Sequence, residues 1–180
     1  MIDGFHKIEN IFTKDQREKL IEDSQSLFVD GKQVELRYRG RNMYQEGFKW
    51  FNVTYPTLHL HSSFDWAHQI IESKIKEVIG RDCQVVKSWM NISRGNNIER
   101  TWHHHPACDY ACVYYMKLFP FFSNGTLFKD YGFIKAKENS LLCFPSQLEH
   151  TTPSSPLRFK RHSWAMNLNI KKDLMDGTDE

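Results

Sequence analysis

No stretch of this 180-residue chain is apolar for long enough to cross a membrane as a helix. Runs such as 141–145 fall far short of the ~20 residues a span requires. The N-terminus lacks a basic segment followed by an apolar one, so no export signal is expected. No sign of charge dominates either. The 24 Lys and Arg stand against 22 Asp and Glu, a formal charge of +2, whereas a protein that grips nucleic acid or an anionic membrane needs one sign in excess. Cysteine is scarce: Cys83, Cys108, Cys112 and Cys143 include no CxxC pair, which points to buried free thiols in a reducing, cytoplasmic compartment. Internal repeats, low-complexity tracts, a Gly-x-Ser-x-Gly elbow and a phosphate loop are all missing, so nothing argues for a serine hydrolase or a nucleotide-binding enzyme.

What is present suffices for one domain with a packed interior, since 40% of residues are hydrophobic and 14% aromatic. A strand is expected over 5–12. Thr13 then caps a helix over 16–28, with Gln16 at the capping-box position and Leu20, Ile21, Leu27 and Phe28 inward. Residues 33–55 read as extended and loop-rich. A second helix starts at a Ser63 cap, buries Phe64, Ala67, Ile70, Ile71, Ile75, Val78 and Ile79, and ends at Gly80. From Cys83 the pattern changes to short β-prone runs over 84–93, 101–105, 110–118, 126–129, 141–145 and 162–170, with Asn124-Gly125 as a tight-hairpin signal. Helices followed by many short strands predict a mainly β domain, an antiparallel sandwich or barrel with helices packed outside. The organisation expected is one domain over 1–170, helical to residue 82 and β from 83, with a flexible tail at 171–180.

Nine histidines occur, and His103, His104 and His105 are consecutive. In an extended segment His103 and His105 share one face and His104 the other, so the outer two are placed to chelate one metal. His150 follows the apolar run Leu-Leu-Cys-Phe-Pro, in a turn with Glu149 and Thr151, and is the best third ligand. On the segment that opens at Arg161, alternation puts Arg161, Ser163, Ala165 and Asn167 on one face. A guanidinium beside a hydroxyl there suits a carboxylate.

These stretches resemble the iron(II)/2-oxoglutarate-dependent oxygenases, in particular the small prolyl-hydroxylase-like proteins of phages and bacteria. The resemblance rests on Trp89-Met90-Asn91-Ile92 with Gly95-Asn96, His103-x-His105-Pro106, Val113-Tyr114-Tyr115-Met116-Lys117, Gly125-Thr126-Leu127-Phe128, Phe144-Pro145-Ser146 with His150, and Arg161-x-Ser163 with Asn167. It implies a double-stranded β-helix, the jelly-roll or cupin-like barrel, in an intracellular phage or bacterial protein. It implies Fe(II) held by His103 and His150, and 2-oxoglutarate held by Arg161 with Ser163, Tyr115 or Asn91 assisting. The expected reaction is hydroxylation of a C–H bond coupled to decarboxylation of 2-oxoglutarate to succinate.

The family pattern usually reads His-x-Asp, and this chain carries His105 at the Asp position. Either His105 ligates and gives a three-imidazole site, or Asp109 supplies the carboxylate; the extended geometry favours His105. A second functional reading is a cupin-like three-His metal protein with no oxidative chemistry. The expected partners are the small-molecule co-substrate and an unidentified second substrate, a protein side chain or a small molecule, with no membrane and no nucleic acid.

Other features have plainer readings. Arg37, Arg39 and Arg41 with Tyr38 and Tyr44 read as a solvated loop, with a substrate groove as the alternative. His59 and His61 read as a strand end, with a second metal pair as the alternative, and Trp50, Phe51, Tyr114, Tyr115 and Trp164 as core. The run 119–122 is an apolar loop, read as a lid, a partner contact or a segment tucked into the barrel.

Overall fold

The computed structural model describes residues 4–25, 37–38, 41–42, 51–53, 58–94, 102–118, 124–152 and 160–171; at 25, 37–38, 41–42, 51–53, 92–94 and 160 only the backbone is described. Strand β1 (His6–Glu9) leads into helix α1 (Lys14–Gln25). The start of α1 is the expected capping box: Gln16 N donates to Thr13 Oγ1 at 3.3 Å and Thr13 N to Gln16 Oε1 at 2.9 Å. Leu20 on this helix is fully buried, while Leu27 and Phe28 lie outside the described residues. Of the stretch read as loop-rich, the described residues form β2 (Arg37–Tyr38), β3 (Arg41–Asn42) and β4 (Phe51–Val53). The side chains of the Arg37–Tyr44 stretch lie outside the described residues, as does the Phe119–Phe122 loop.

Helix α2 (Asp65–Ile79) follows two 3-10 turns, Leu58–Leu60 and Ser62–Phe64. Ser63 lies inside the second turn and caps nothing; the residue at the cap position is Phe64, with no side-chain bond to the helix. The helix ends as expected at Gly80, whose φ of 76° only glycine adopts cheaply. Ala67, Ile71 and Ile75 are buried, but Val78 is 43% exposed and falls off the inner stripe. His59 and His61 sit in and just after a 3-10 turn instead of a strand.

The remaining described elements are strands: β5 (Cys83–Arg94), β6 (Tyr110–Lys117), β7 (Gly125–Phe128), β8 (Gly132–Lys135), β9 (Ser140–Pro145), β10 (His150–Thr151) and β11 (Lys160–Ile170). They build an antiparallel six-stranded sheet in the order β1-β9-β6-β11-β5-β4, and a three-stranded sheet in the order β10-β7-β8. Non-sequential neighbours in both sheets are the signature of a jelly roll, so the expected fold class is observed.

Two expectations along this stretch fail. Of the run expected over 101–105, the described residues 102–105 form no strand beyond a single bridge at His103. Asn124-Gly125 is no hairpin turn either: the β7–β8 turn is Lys129–Tyr131 followed by Gly132 at φ 72°, and Gly125 pairs with Lys135 inside the ladder. Glycine is required there for another reason, because a Cβ would stand 2.0 Å from the Ile134 carbonyl oxygen.

The large sheet is buried on both faces, and alternation sorts its side chains into two cores. Trp164, Met166 and Leu168 of β11 join Tyr114, Cys112, Leu141 and Cys143 against Leu20, Phe64, Ile71 and Ile75 of the helical layer. Tyr115, Ala111, Leu142 and Phe144 face the small sheet instead, where Phe128 packs edge-on to Phe144 with ring centroids 4.8 Å apart. On β5 the alternation holds only because of a bulge: Lys87 pairs with Asn167 but the next pair is Leu168 with Val85, so Val86 is an extra residue. The bulge keeps Val85, Ser88 and Met90 on the helix side, and turns Lys87, Trp89 and Asn91 to the other.

All four cysteines are buried free thiols. Burial pushes Cys83 up to about 12 and raises Cys108 and Cys112, and in the last case the neighbouring Cys143 sulfur 2.6 Å away adds to the rise. The native protein should therefore resist Ellman's reagent at pH 8 and release four thiols only in denaturant; a denatured count of two would mean a Cys112–Cys143 bond.

His68 generates a pH prediction. It is 6% exposed, bonded to Ser88 Oγ at 3.0 Å and packed on the Trp164 ring, and burial lowers its pKa to about 4. The unfolded chain binds a proton near pH 6.5 that the native ring refuses, so its contribution is complete above that pH and is lost as pH falls toward 4. In the metal-free protein urea midpoints should fall over this window, at a cost on the order of 3 kcal/mol from this ring. His68→Gln should flatten the slope.

Candidate metal centre

The centre is assembled by backbone pairing between segments far apart in sequence. His103 forms an isolated antiparallel bridge with His150: His103 N donates to the His150 carbonyl at 3.1 Å and His150 N to the His103 carbonyl at 2.9 Å. Beyond the bridge the chain turns, and His105 N donates to the Ser146 carbonyl at 2.8 Å. The ring pairs 103–150, 103–105 and 105–150 have centroids 4.3, 5.3 and 5.2 Å apart. One ring nitrogen from each lies within 4.8 Å of the others, and the described residues hold no other such group of three or more His, Cys, Asp or Glu. His104 is exposed and faces away, as expected.

Electrostatics prepares these rings for a cation. Burial, then the neighbouring His103, holds His150 near 3; burial and His103 likewise hold His105 near 4. Both are neutral at pH 7 and present lone pairs. His150 Nδ1 donates to the Leu148 carbonyl at 2.9 Å, which fixes the proton on that nitrogen and leaves Nε2 free to ligate. Nitrogens about 2.1 Å from one ion lie roughly 3.0–3.4 Å apart at tetrahedral or octahedral angles, so a pair at the 4.8 Å limit has to draw together by more than an ångström to share one. The donor set fits a divalent transition metal.

Asp109 is engaged elsewhere. Its Oδ2 accepts from Ile170 N at 2.8 Å and its own N donates to the Leu168 carbonyl at 3.0 Å, tying the β6 entrance to the end of β11. Cys108 and Ser146 complete that corner, Ser146 Oγ donating to the Cys108 carbonyl.

Arg161 opens the site face of β11 and is 8% exposed. Its guanidinium carbon lies 5.2 Å from the centroid of the Tyr115 ring, its Nε is buried with no hydrogen-bond partner, and burial lowers its pKa. No carboxylate among the described residues acts on it. Ser163, Asn91 and Tyr115 form one row across β11, β5 and β6, because Ser163 pairs with both of the others. Tyr115 Oη lies 2.6 Å from Thr126 Oγ1 on β7, and Phe128, two residues along that strand, pairs with His150. The guanidinium and the imidazoles are thus linked through one short strand, about 7 Å of chain.

Sequence reasoning missed Thr126 and Trp89. Thr126 stood inside a quoted motif, but only the folded β6–β7 contact reveals its hydroxyl beside Tyr115. Trp89 packs its ring 5.7 Å from that of His105. The pair His59 and His61 belongs to no metal-sized group among the described residues.

No family model matches the sequence, and no curated protein matches it. Solved structures do. HygX from Streptomyces hygroscopicus, crystallised with nickel and 2-oxoglutarate, superposes with a TM-score of 0.60 at 15% identity, covering 92% of this chain and 82% of that one. SnoN, a non-heme alpha ketoglutarate dependent epimerase from nogalamycin biosynthesis, gives 0.63 at 10% identity over 92% and 77%. EctD from S. alaskensis with bound iron gives 0.63 at 12% identity over 93% and 73%. The fold is that of the iron(II)/2-oxoglutarate oxygenases. At such identities the likeness is one of fold, and the chemistry has to be argued from the residues of the centre.

The role of Asp109 is open to a direct check. Asp109→Ala should lower stability by about 1 kcal/mol through loss of the Ile170 anchor while nickel binding by calorimetry stays within about threefold of wild type.

Proposed function

We propose that the protein is an iron(II)/2-oxoglutarate-dependent oxygenase that hydroxylates a C–H bond of a second substrate. The observation that carries this reading is Arg161, a buried guanidinium whose Nε has no partner among the described residues, held one short strand away from three clustered imidazoles. Burying a lone guanidinium is costly, and the natural offset is an anionic ligand that enters with its carboxylate toward it.

In this reading His103, His105 and His150 hold the iron. Asp109, occupied by Ile170 N, is not a ligand. Arg161 takes the distal carboxylate of 2-oxoglutarate, and Tyr115, Thr126, Ser163 and Asn91 line its seat. Iron so held supplies dioxygen activation coupled to decarboxylation of the co-substrate to succinate and carbon dioxide. The chain's own part is placement and exclusion of water. The Leu148 carbonyl keeps the proton on His150 Nδ1, and Phe128 and Phe144 wall the ring with centroids 5.8 and 4.7 Å from it. Structures of HygX with hygromycin B and of SnoN with nogalamycin RO, each also holding 2-oxoglutarate or alpha ketoglutarate, support a small molecule as the second substrate. The cupin-like alternative leaves the buried Arg161 without a purpose.

The anaerobic protein with iron(II) and 2-oxoglutarate should take up one ion per chain and show a visible charge-transfer band. His150→Ala should abolish both. Arg161→Ala should keep the metal and weaken 2-oxoglutarate binding by about 100-fold or more, as expected when one partner of a buried charge pair is removed. Wild-type protein that binds iron but no 2-oxoglutarate overturns the proposal.

A further inference from the structure

The site face of β5 carries Asn91, Trp89 and Lys87 in succession, opposite Ser163, Ala165 and Asn167 of β11. These three rungs are graded. The Asn91 rung contains Ser163 and Tyr115 and belongs to the Arg161 end. The Trp89 rung lies at the level of the metal centre, its ring against His105. Lys87 and Asn167 stand one rung further, about 7 Å beyond Trp89 and about 13 Å beyond Asn91 along the strand. The metal centre therefore has a second flank, on the far side from Arg161.

That flank has two unspent polar groups. Lys87 is exposed, and its ammonium acts electrostatically on both His105 and His59. Asn167 is 8% exposed, shares the inward face with Ala111, and its Oδ1 is buried with no hydrogen-bond partner.

The balance of charge gives the flank a direction. A divalent ion on three neutral imidazoles, with Arg161 and Lys87, carries four positive charges among the described residues. The 2-oxoglutarate dianion cancels two. A family-type carboxylate ligand would have removed a third, and His105 stands in its place.

We infer that the second substrate is an anion, a small carboxylate or phosphate ester held by Lys87, with an N–H or O–H near its charged group that meets Asn167. This rests on the oxygenase reading above and adds the substrate class to it. Trp89, half-buried between Lys87 and the imidazoles, is the wall along which the rest of the molecule lies. A cationic substrate would meet the like charge of Lys87.

The test uses full-length protein loaded with nickel(II) and saturating 2-oxoglutarate, which binds without turnover. Hippurate, phenyl phosphate and the neutral hippuramide are titrated by calorimetry. At least one anion should bind tenfold or more tighter than hippuramide. Lys87→Ala should erase that preference and Lys87→Arg keep it, with 2-oxoglutarate affinity within threefold of wild type in both. The stronger of hippurate and phenyl phosphate decides between carboxylate and phosphate. Equal binding of hippuramide, no binding by any probe, or an unchanged preference in Lys87→Ala overturns the inference. Failure of the loaded wild-type protein to bind 2-oxoglutarate sinks the oxygenase reading itself, a result read before any probe is added.

Discussion

A guanidinium taken out of water without a counter-charge among the described residues is the constraint around which the small-sheet side of this molecule is organised. Arg161 cannot shed its proton at any ordinary pH, so its burial has to be offset. The protein offsets it only partly. The Tyr115 ring covers one face of the cation, and the Tyr115 hydroxyl is turned to Thr126. Among the described residues the Nε of that cation is left without a hydrogen-bond partner, which is the basis of the anion site proposed above. In a fold evolved only for stability, the same strand position would hold an aliphatic side chain and continue the core that Ala111, Leu142 and Phe144 begin.

Strand β11 lets one sheet serve two purposes. Its even-numbered residues Trp164, Met166 and Leu168 are buried among the helices, and its odd-numbered Arg161, Ser163 and Asn167 point the other way. The described helical layer is therefore a support for the strand. Phe64, Ile71 and Ile75 press the sheet from behind and hold β11 flat between β5 and β6, whose side chains complete the polar row. The polar groups are thus placed by rigid strands, while the imidazoles come from the bridge and turn that join the two sheets. Placement of that kind limits the freedom of the ligand-holding groups before any ligand arrives.

Much was legible from residue types and periods. The capping box at Thr13 and Gln16, the glycine stop at Gly80, and strands β5, β6, β9 and β11 follow from local rules that tertiary context did not override. Strand β8 was missed because Gly-Phe-Ile-Lys is short and mostly exposed, so it has no apolar alternation to read. The Asn124-Gly125 signal misled for a physical reason: the glycine answers a close backbone approach by Ile134, which from sequence looks the same as a turn requirement. At the centre, His103, His105, His150 and Arg161 stood out by spacing. The expectation of a regular strand did not hold over the described residues 102–105, and the rings meet because His103 bridges to His150 while His105 is drawn to Ser146.

Local order along the chain determined which residues were available: buried thiols, a β-rich second half, and imidazoles and a guanidinium at intervals that suit alternating faces. Period-two geometry is a property of any extended chain, so those assignments needed no partner. Tertiary pairing alone decided the rest. It committed Asp109 to Ile170, set Thr126 beside Tyr115, and through the extra residue at Val86 turned Lys87 and Trp89 to the same side as the imidazoles. A bulge and a cross-sheet hydrogen bond depend on the register of the neighbouring strand, and register is absent from the residues of either strand taken singly.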